Sequence, residues 1–278
     1  MKITFIGGGN MATALIGGLL KKSGARNNIS VVEIEPQARE RIARELGVRA
    51  HADITAVTKD VDCIVLAVKP QQLRGVAERL GPLVRHALIV SIAAGIRVRD
   101  LSRWLGGHSR IVRAMPNTPA LVLTGMTGLY AAPGVNQGDR DTAQSILSAA
   151  GSTLWVEDEA HIDGITAISG SGPAYVFYFI EALQQAALEL GFDANAARTL
   201  AQETFAGAIK LAQESDDNIA TLRARVTSKG GTTECALSRL EKDDVRQAIV
   251  RAAHAAATRS RELGDELGQD DSQPLRDR

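Results

Sequence analysis

Three short segments place glycine and small or hydroxyl residues just ahead of a helical pattern. Each can present unpaired backbone N–H groups to an anion. The first is GGGNMA, or Gly7-x-Gly9-x-x-Ala12, which follows the apolar run KITFIG and opens a helix expected over Asn10–Lys22. In that context Gly7 permits the tight turn, Gly9 lets a pyrophosphate approach the backbone, and Ala12 lets the helix pack close to a sheet. The second is AISGSGPAYVF, with Ser169–Gly172 ahead of Pro173, a residue favoured in a first helical turn. The third is TSKGGTTECALSRL, at Thr227–Leu240. There Thr232 or Thr233 is expected to cap a helix and Glu234 to support its first turn. The N–H groups of Gly230, Gly231 and Thr232 are candidates to receive a carboxylate. Spacing alone equally allows an ordinary capped helix.

Further candidates end strand patterns. Glu33 closes ISVVE, roughly 20 residues after the glycine turn, where an acid binds a ribose diol. Glu33 and Glu35 repel a 2′-phosphate, whereas Arg39 and Arg41 offset them if the helix turns them inward, so NADH and NADPH both stay open. LAVKPQ puts Ala67, Val68, Lys69 and Pro70 at a strand end, and AMPNTPA does the same for Met115, Pro116 and Asn117. Ligands of open parallel sheets bind at such carboxyl ends. Prolines at 70, 116 and 119 fix backbone angles there, or simply stop strands.

The elements that must position these residues fall into two parts. Strand patterns at KITFIG, ISVVE, DCIVLAV, ALIVSIA, SRIVRAM, MTGLYA and STLWVE alternate with helical stretches such as Pro36–Leu46, Gln72–Leu80 and Val98–Leu105. That alternation predicts a parallel sheet with helices on both faces over residues 1–158. From 159 to 264 the pattern is all-helical and rich in alanine, and 265–278 reads as a polar, frayed tail. The first half of AYVFYFIEALQQAALELGF is apolar almost all round, as in a helix buried on several sides.

The chain has 278 residues, enough for one large or two ordinary domains, and 45% of them are hydrophobic. Lys+Arg and Asp+Glu balance at 32 each, which argues against nucleic acid or an anionic membrane surface as partner. Cys63 lies in an apolar strand pattern and Cys235 in a helical one, and both are expected to be buried, reduced thiols of a cytoplasmic protein. No cysteine–histidine spacing suggests a metal site. Neither a signal peptide nor a membrane span is expected.

Taken together, FIGGGNMA, LAVKPQ, SIAAG, RAMPNTPA, ISGSGPAYVF and VTSKGGTTE resemble, in order, segments of the pyrroline-5-carboxylate reductases, from Phe5 to Glu234. The resemblance implies a Rossmann domain followed by an all-helical substrate domain that pairs with a partner chain as a homodimer, with larger rings of dimers a further option. It implies reduction of 1-pyrroline-5-carboxylate to L-proline with NADP(H) or NAD(H). Ile6, Gly7, Gly8, Gly9, Asn10 and Met11 would hold the dinucleotide together with Ala67, Val68, Lys69 and Pro70. Ile92, Ala93 and Ala94 would lie beside it. Gly230, Gly231 and Thr232 would hold the substrate carboxylate, and the Thr233 hydroxyl would meet the ring nitrogen. Many NADPH-using members carry Ser, Asn or Arg after the second strand, where this chain has Glu33-Ile-Glu35, so phosphate preference is not settled by the resemblance.

A cyclic imine already carries its electrophilic carbon, which fits a chain whose five histidines all lie outside the glycine motifs. Solvent or a bound water is the expected proton source. A β-hydroxyacid dehydrogenase has the same two-part plan but needs a base, for which Lys210 is available. A non-catalytic dinucleotide-binding regulator is the third reading, and the intact SKGGTT segment speaks against it.

Overall fold

The computed structural model describes residues 1–24, 26–56, 60–84 and 86–269. The elements run β1 (Ile3–Ile6), α1 (Asn10–Ser23), β2 (Ile29–Val32), α2 (Pro36–Leu46), β3 (Arg49–His51), β4 (Cys63–Leu66), α3 (Pro70–Leu80), β5 (Leu88–Ser91), α4 (Val98–Trp104), β6 (Ile111–Met115), β7 (Gly125–Ala131), α5 (Gln137–Leu147) and β8 (Gly151–Val156). The helices α6 (His161–Ile165), α7 (Gly172–Glu189), α8 (Ala194–Glu214), α9 (Ile219–Arg225), α10 (Thr232–Lys242) and α11 (Val245–Gly268) follow.

The eight strands form one sheet in the order β3-β2-β1-β4-β5-β6-β7-β8. Each central strand is apolar on both faces, as a sheet covered by helices on two sides requires. In β4, Cys63 and Val65 join the core beneath α1 and α5, while Ile64 and Leu66 join the core beneath α3 and α4. Pairing is parallel from β3 through β6. It is antiparallel between β6 and β7 and parallel again to β8, so the sheet is mixed rather than wholly parallel. A short connection from Met115 to Gly125 returns the chain directly, leaving no room for the crossover helix that a parallel partner needs. The edge strand β3, only three residues long and polar, carries too little periodicity to read from sequence.

Two compact units emerge, residues 1–171 with 256–278, and residues 172–255. The expected boundary at 158 is a change in sequence character, whereas residues 159–171 pack with the sheet. There Arg113 of β6, 3% exposed, pairs with Glu159 at 2.9 Å. The expected tail also starts too early. Through Gly268 the chain is helical, with Gly264 buried, Asp265 bonded to Arg97 at 2.6 Å and Leu267 packed on the core. Residues 270–278 of that tail lie outside the described residues.

In the second unit only Ala187, Ala197 and Ala201 are fully buried among its apolar residues. Val176, Phe177, Tyr178 and Leu183 of α7 are exposed, as are Leu200, Ile209 and Leu211 of α8. The apolar helix therefore does not bury itself within one chain. Cys63 is buried, which pushes its thiol up and holds it protonated, but Cys235 is exposed, against expectation. No described helix is long and apolar enough to cross a membrane.

Candidate functional site

The ladder continues past the strand ends and lines three expected segments side by side. Gly7 N–H donates to the Val32 carbonyl at 2.8 Å, Ala67 N–H to Ile6 at 2.8 Å and Ile92 N–H to Leu66 at 3.1 Å. These are the carboxyl ends of β1, β4 and β5, and the chain order reverses between β1 and β4. That switch point is where open α/β sheets bind ligands. Gly7 has φ +97°, and a Cβ there would stand 2.7 Å from the Ala67 carbonyl oxygen, so only glycine lets the two loops approach.

Gly9 is the N-cap of α1, with no side-chain cap and no acidic residue in the first turn. The first i→i−4 bond is Thr13 N–H to the Gly9 carbonyl at 3.0 Å. The N–H groups of Asn10, Met11 and Ala12 thus precede the helical ladder, at its positive end. No protein atom lies within 4 Å of a Cβ built on Gly9. Open space beside a bare helix start suits a pyrophosphate, so the residues fit a bound dinucleotide.

Glu33 follows β2 with both carboxylate oxygens engaged: Gly8 N–H donates to Oε2 at 2.8 Å and Glu35 N–H to Oε1 at 2.9 Å. Arg39 turns inward, but to backbone: its Nη1 donates to the Glu33 and Ile34 carbonyls at 2.8 and 2.7 Å. Lys69 is the exposed N-cap of α3, with Pro70 opening the helix. Ala93 is buried beside half-buried Ile92 and Ala94. Past β6, the Asn117 side chain is consumed by the protein. Its Nδ2 donates to the Ser169 carbonyl and hydroxyl at 3.1 and 3.2 Å, and its Oδ1 accepts from Met126 N–H at 2.8 Å. Asn117 thus ties the strand end down, a role visible only once Ser169 is placed beside it. Met115 meets Gly170, where a Cβ would stand 2.7 Å from its Cε.

Ser169–Gly172 leads into α7, which begins at Gly172 and carries Pro173 in its first turn, as expected. Helix α6 runs into a π turn over Thr166–Gly170, closed by Ser171 N–H to the Thr166 carbonyl at 2.8 Å, and α7 follows. Turns of this kind are rare and frequently mark functional sites.

In the second unit Gly231 is the N-cap of α10, so neither Thr232 nor Thr233 caps it. Glu234 does support the first turn, reaching back to Gly230 N–H at 2.6 Å. Gly231 N–H donates to the Ser228 carbonyl at 3.0 Å. Two of the three donors expected for a carboxylate are therefore engaged within the chain. The first ladder bond is Cys235 N–H to the Gly231 carbonyl, so Thr232, Thr233 and Glu234 supply the leading N–H groups. Half-buried Thr233 makes no hydrogen bond from its hydroxyl to any described residue.

A Rossmann sheet with an uncapped glycine turn at its switch point defines a nicotinamide-dinucleotide-binding oxidoreductase class, here joined to a helical unit. Two family models match: "Pyrroline-5-carboxylate reductase dimerisation" over residues 159–263, and "NADP oxidoreductase coenzyme F420-dependent" over residues 2–95. The pyrroline-5-carboxylate reductase of Pseudomonas aeruginosa is 42% identical over 269 residues, covering 96% of this chain and 98% of that protein. That of Pasteurella multocida is 42% identical over 267 residues, covering 94% and 97%. A solved pyrroline-5-carboxylate reductase from Coxiella burnetii superposes with a TM-score of 0.90 at 41% identity, covering 94% of this chain and 98% of that one. The Plasmodium falciparum enzyme, solved with NADP bound, gives a TM-score of 0.85 at 29% identity, covering 95% and 98%. The chain belongs to the pyrroline-5-carboxylate reductase family.

Proposed function

We propose that this protein reduces 1-pyrroline-5-carboxylate to L-proline with NAD(P)H, the last step of proline synthesis. The observation that carries the reading is Thr233. A hydroxyl left unbonded by the chain stands among leading N–H groups of a helix, in a protein whose other unit has a bare helix start for a dinucleotide.

Bound NAD(P)H supplies the hydride that adds to the imine carbon. The leading N–H groups of α1 hold the pyrophosphate. Those of α10, from Thr232 to Glu234, take the substrate carboxylate and fix the ring. The ring nitrogen is protonated before hydride arrives; as hydride adds to carbon the C=N π pair becomes the nitrogen lone pair, and the Thr233 hydroxyl donates a hydrogen bond to it. The imine is already electrophilic, so positioning does most of the work, and it can lower a barrier by several kcal/mol. Solvent supplies the proton. Lys210, the base that a hydroxyacid dehydrogenase reading would require, lies on the exposed surface of α8.

The uncovered apolar faces of α7 and α8 make self-association part of this function, with a homodimer as the unit and a ring of dimers as its extension. The cytoplasm is the compartment proposed. Oxidation of NADH and of NADPH, each with and without 1-pyrroline-5-carboxylate, tests the reading. No oxidation of either dinucleotide by the imine, together with reduction of NAD+ or NADP+ by a β-hydroxyacid, would overturn it.

A further inference from the structure

The carboxylate of Glu33 is held at the neck of the glycine turn by two backbone donors, one on each oxygen. The turn is shaped to bring its donor in, since a Cβ on Gly8 would overlap Ile42 Cδ1 and stand 3.2 Å from Glu33 Oε2. A carboxylate offers about four lone-pair sites. Gly8 and Glu35 use two, leaving one on each oxygen for the neighbouring hydroxyls of an unphosphorylated ribose. A 2′-phosphate in the same place meets three obstacles. It lies against a fixed negative charge with exposed Glu35 close by. The two N–H groups that could have held it are already bonded to Glu33. The nearby cation, Arg39, spends Nη1 on two carbonyls, and Arg41 is exposed on α2.

Resting on the reductase reading, we infer that Glu33, locked by Gly8 and Glu35, makes this chain select NADH over NADPH. Charge excludes the 2′-phosphate and the carboxylate binds the diol, so one residue supplies both the attractive and the repulsive part of the choice.

Equilibrium titration of the full-length protein with NADH and with NADPH, without imine, reads this directly. NADH should bind at least about tenfold more tightly at physiological salt, given a like charge within contact distance. Glu33→Gln keeps the shape and removes the charge, so NADPH should bind more tightly than to the wild type. Glu33→Ser also frees the Gly8 and Glu35 N–H groups for the phosphate, and should move the NADH/NADPH affinity ratio on the order of 100-fold toward NADPH, the sum of a lost repulsion and two gained donors. Thermal unfolding identifies which variants are folded, and Glu33→Gln carries the test if Glu33→Ser is not. Equal or tighter binding of NADPH by the wild type overturns the inference, as does an unchanged ratio in the folded variants. Failure to bind either dinucleotide overturns the reductase reading along with it.

Discussion

Gly264 of α11 lies against Gly95: a Cβ on Gly264 would stand 3.0 Å from the Gly95 carbonyl oxygen. The last helix is thereby seated on the loop that carries Ile92–Ala94. Ser260 Oγ donates to Asp163 Oδ1 at 2.7 Å in the same region, and Arg97 bonds Asp265. Gly264→Leu must push the helix away from Gly95 and from the Arg97 guanidinium. The expected cost is about 1–3 kcal/mol of stability, as for an overpacked core, with weaker dinucleotide binding because the 92–94 loop loses its support. Wild-type melting and wild-type affinity in this variant would remove that role for α11.

Gly9→Val separates phosphate approach from folding. The backbone at Gly9 is extended, at φ −68°, and nothing in the protein is within 4 Å of its Cβ position. The variant should melt like the wild type and bind dinucleotide at least about tenfold more weakly, a loss of about 1.4 kcal/mol. Unchanged affinity in a titration would mean that no pyrophosphate comes near Gly9.

Thr233→Ala tests the proposed contact with the ring nitrogen. A hydrogen bond to a charged group is worth about 1.5–3 kcal/mol, so turnover should fall on the order of 10- to 100-fold. Because Gly231 occupies the N-cap and the Thr233 hydroxyl has no partner in the chain, thermal stability should barely change. Steady-state kinetics and a melting curve on the same preparation check both halves. Normal turnover would dismiss Thr233 as a substrate ligand.

The helical unit should associate with a second copy. Phe177 is 60% exposed and Tyr178 70% exposed on one chain, an apolar surface of the kind that marks an interface. Light scattering at micromolar concentration should give at least a dimeric mass. A monomer under those conditions would leave the apolar faces of α7 and α8 unexplained.

Asp139 gives a pH-dependent prediction that involves none of the residues proposed to bind substrate. Its carboxylate accepts from Arg110 at 2.5 and 3.1 Å and from Asn136 N–H at 3.3 Å, closing the capping box of α5. The hydrogen bonds from Arg110 hold its carboxyl below the usual range. A carboxyl depressed on folding contributes stability that is whole above its unfolded value, about 3.9, and is lost as pH falls through the folded one. Asp139→Asn should therefore be less stable than the wild type at neutral pH, by about 1–3 kcal/mol for an unsatisfied buried partner, and the gap should close below about pH 4. Urea melts at neutral and acid pH read the difference. A gap that widened in acid would reverse the assignment.

Strand positions, the glycine turn and the order of the motifs were legible in the sequence because each is local. Apolar runs at ISVV and CIVL have to be covered on both sides wherever they sit. Gly7 and Pro70 write backbone angles directly into the chain. Helix α2 over Pro36–Leu46 follows from its opening proline and its closing glycine. Family membership was legible for a related reason: several such local signals fall in one order along most of the chain.

Tertiary structure decided what a polar group does when several partners are within reach. Glu33 could have met solvent, Arg39 or Arg41. It meets Gly8 N–H, 25 positions earlier, because β1 and β2 pair in the register that sets Ile6 beside Val32. Asn117 is spent on Ser169, 52 positions away, rather than left for a ligand. Neither the reversal of β7 nor the seating of α11 on Gly95 has a periodicity to announce it. Cys235 stands in a helical pattern, yet its position on α10 is exposed. Hydrogen-bond and burial choices of this kind are settled by competition among distant groups, and only packing of the whole chain brings the competitors together.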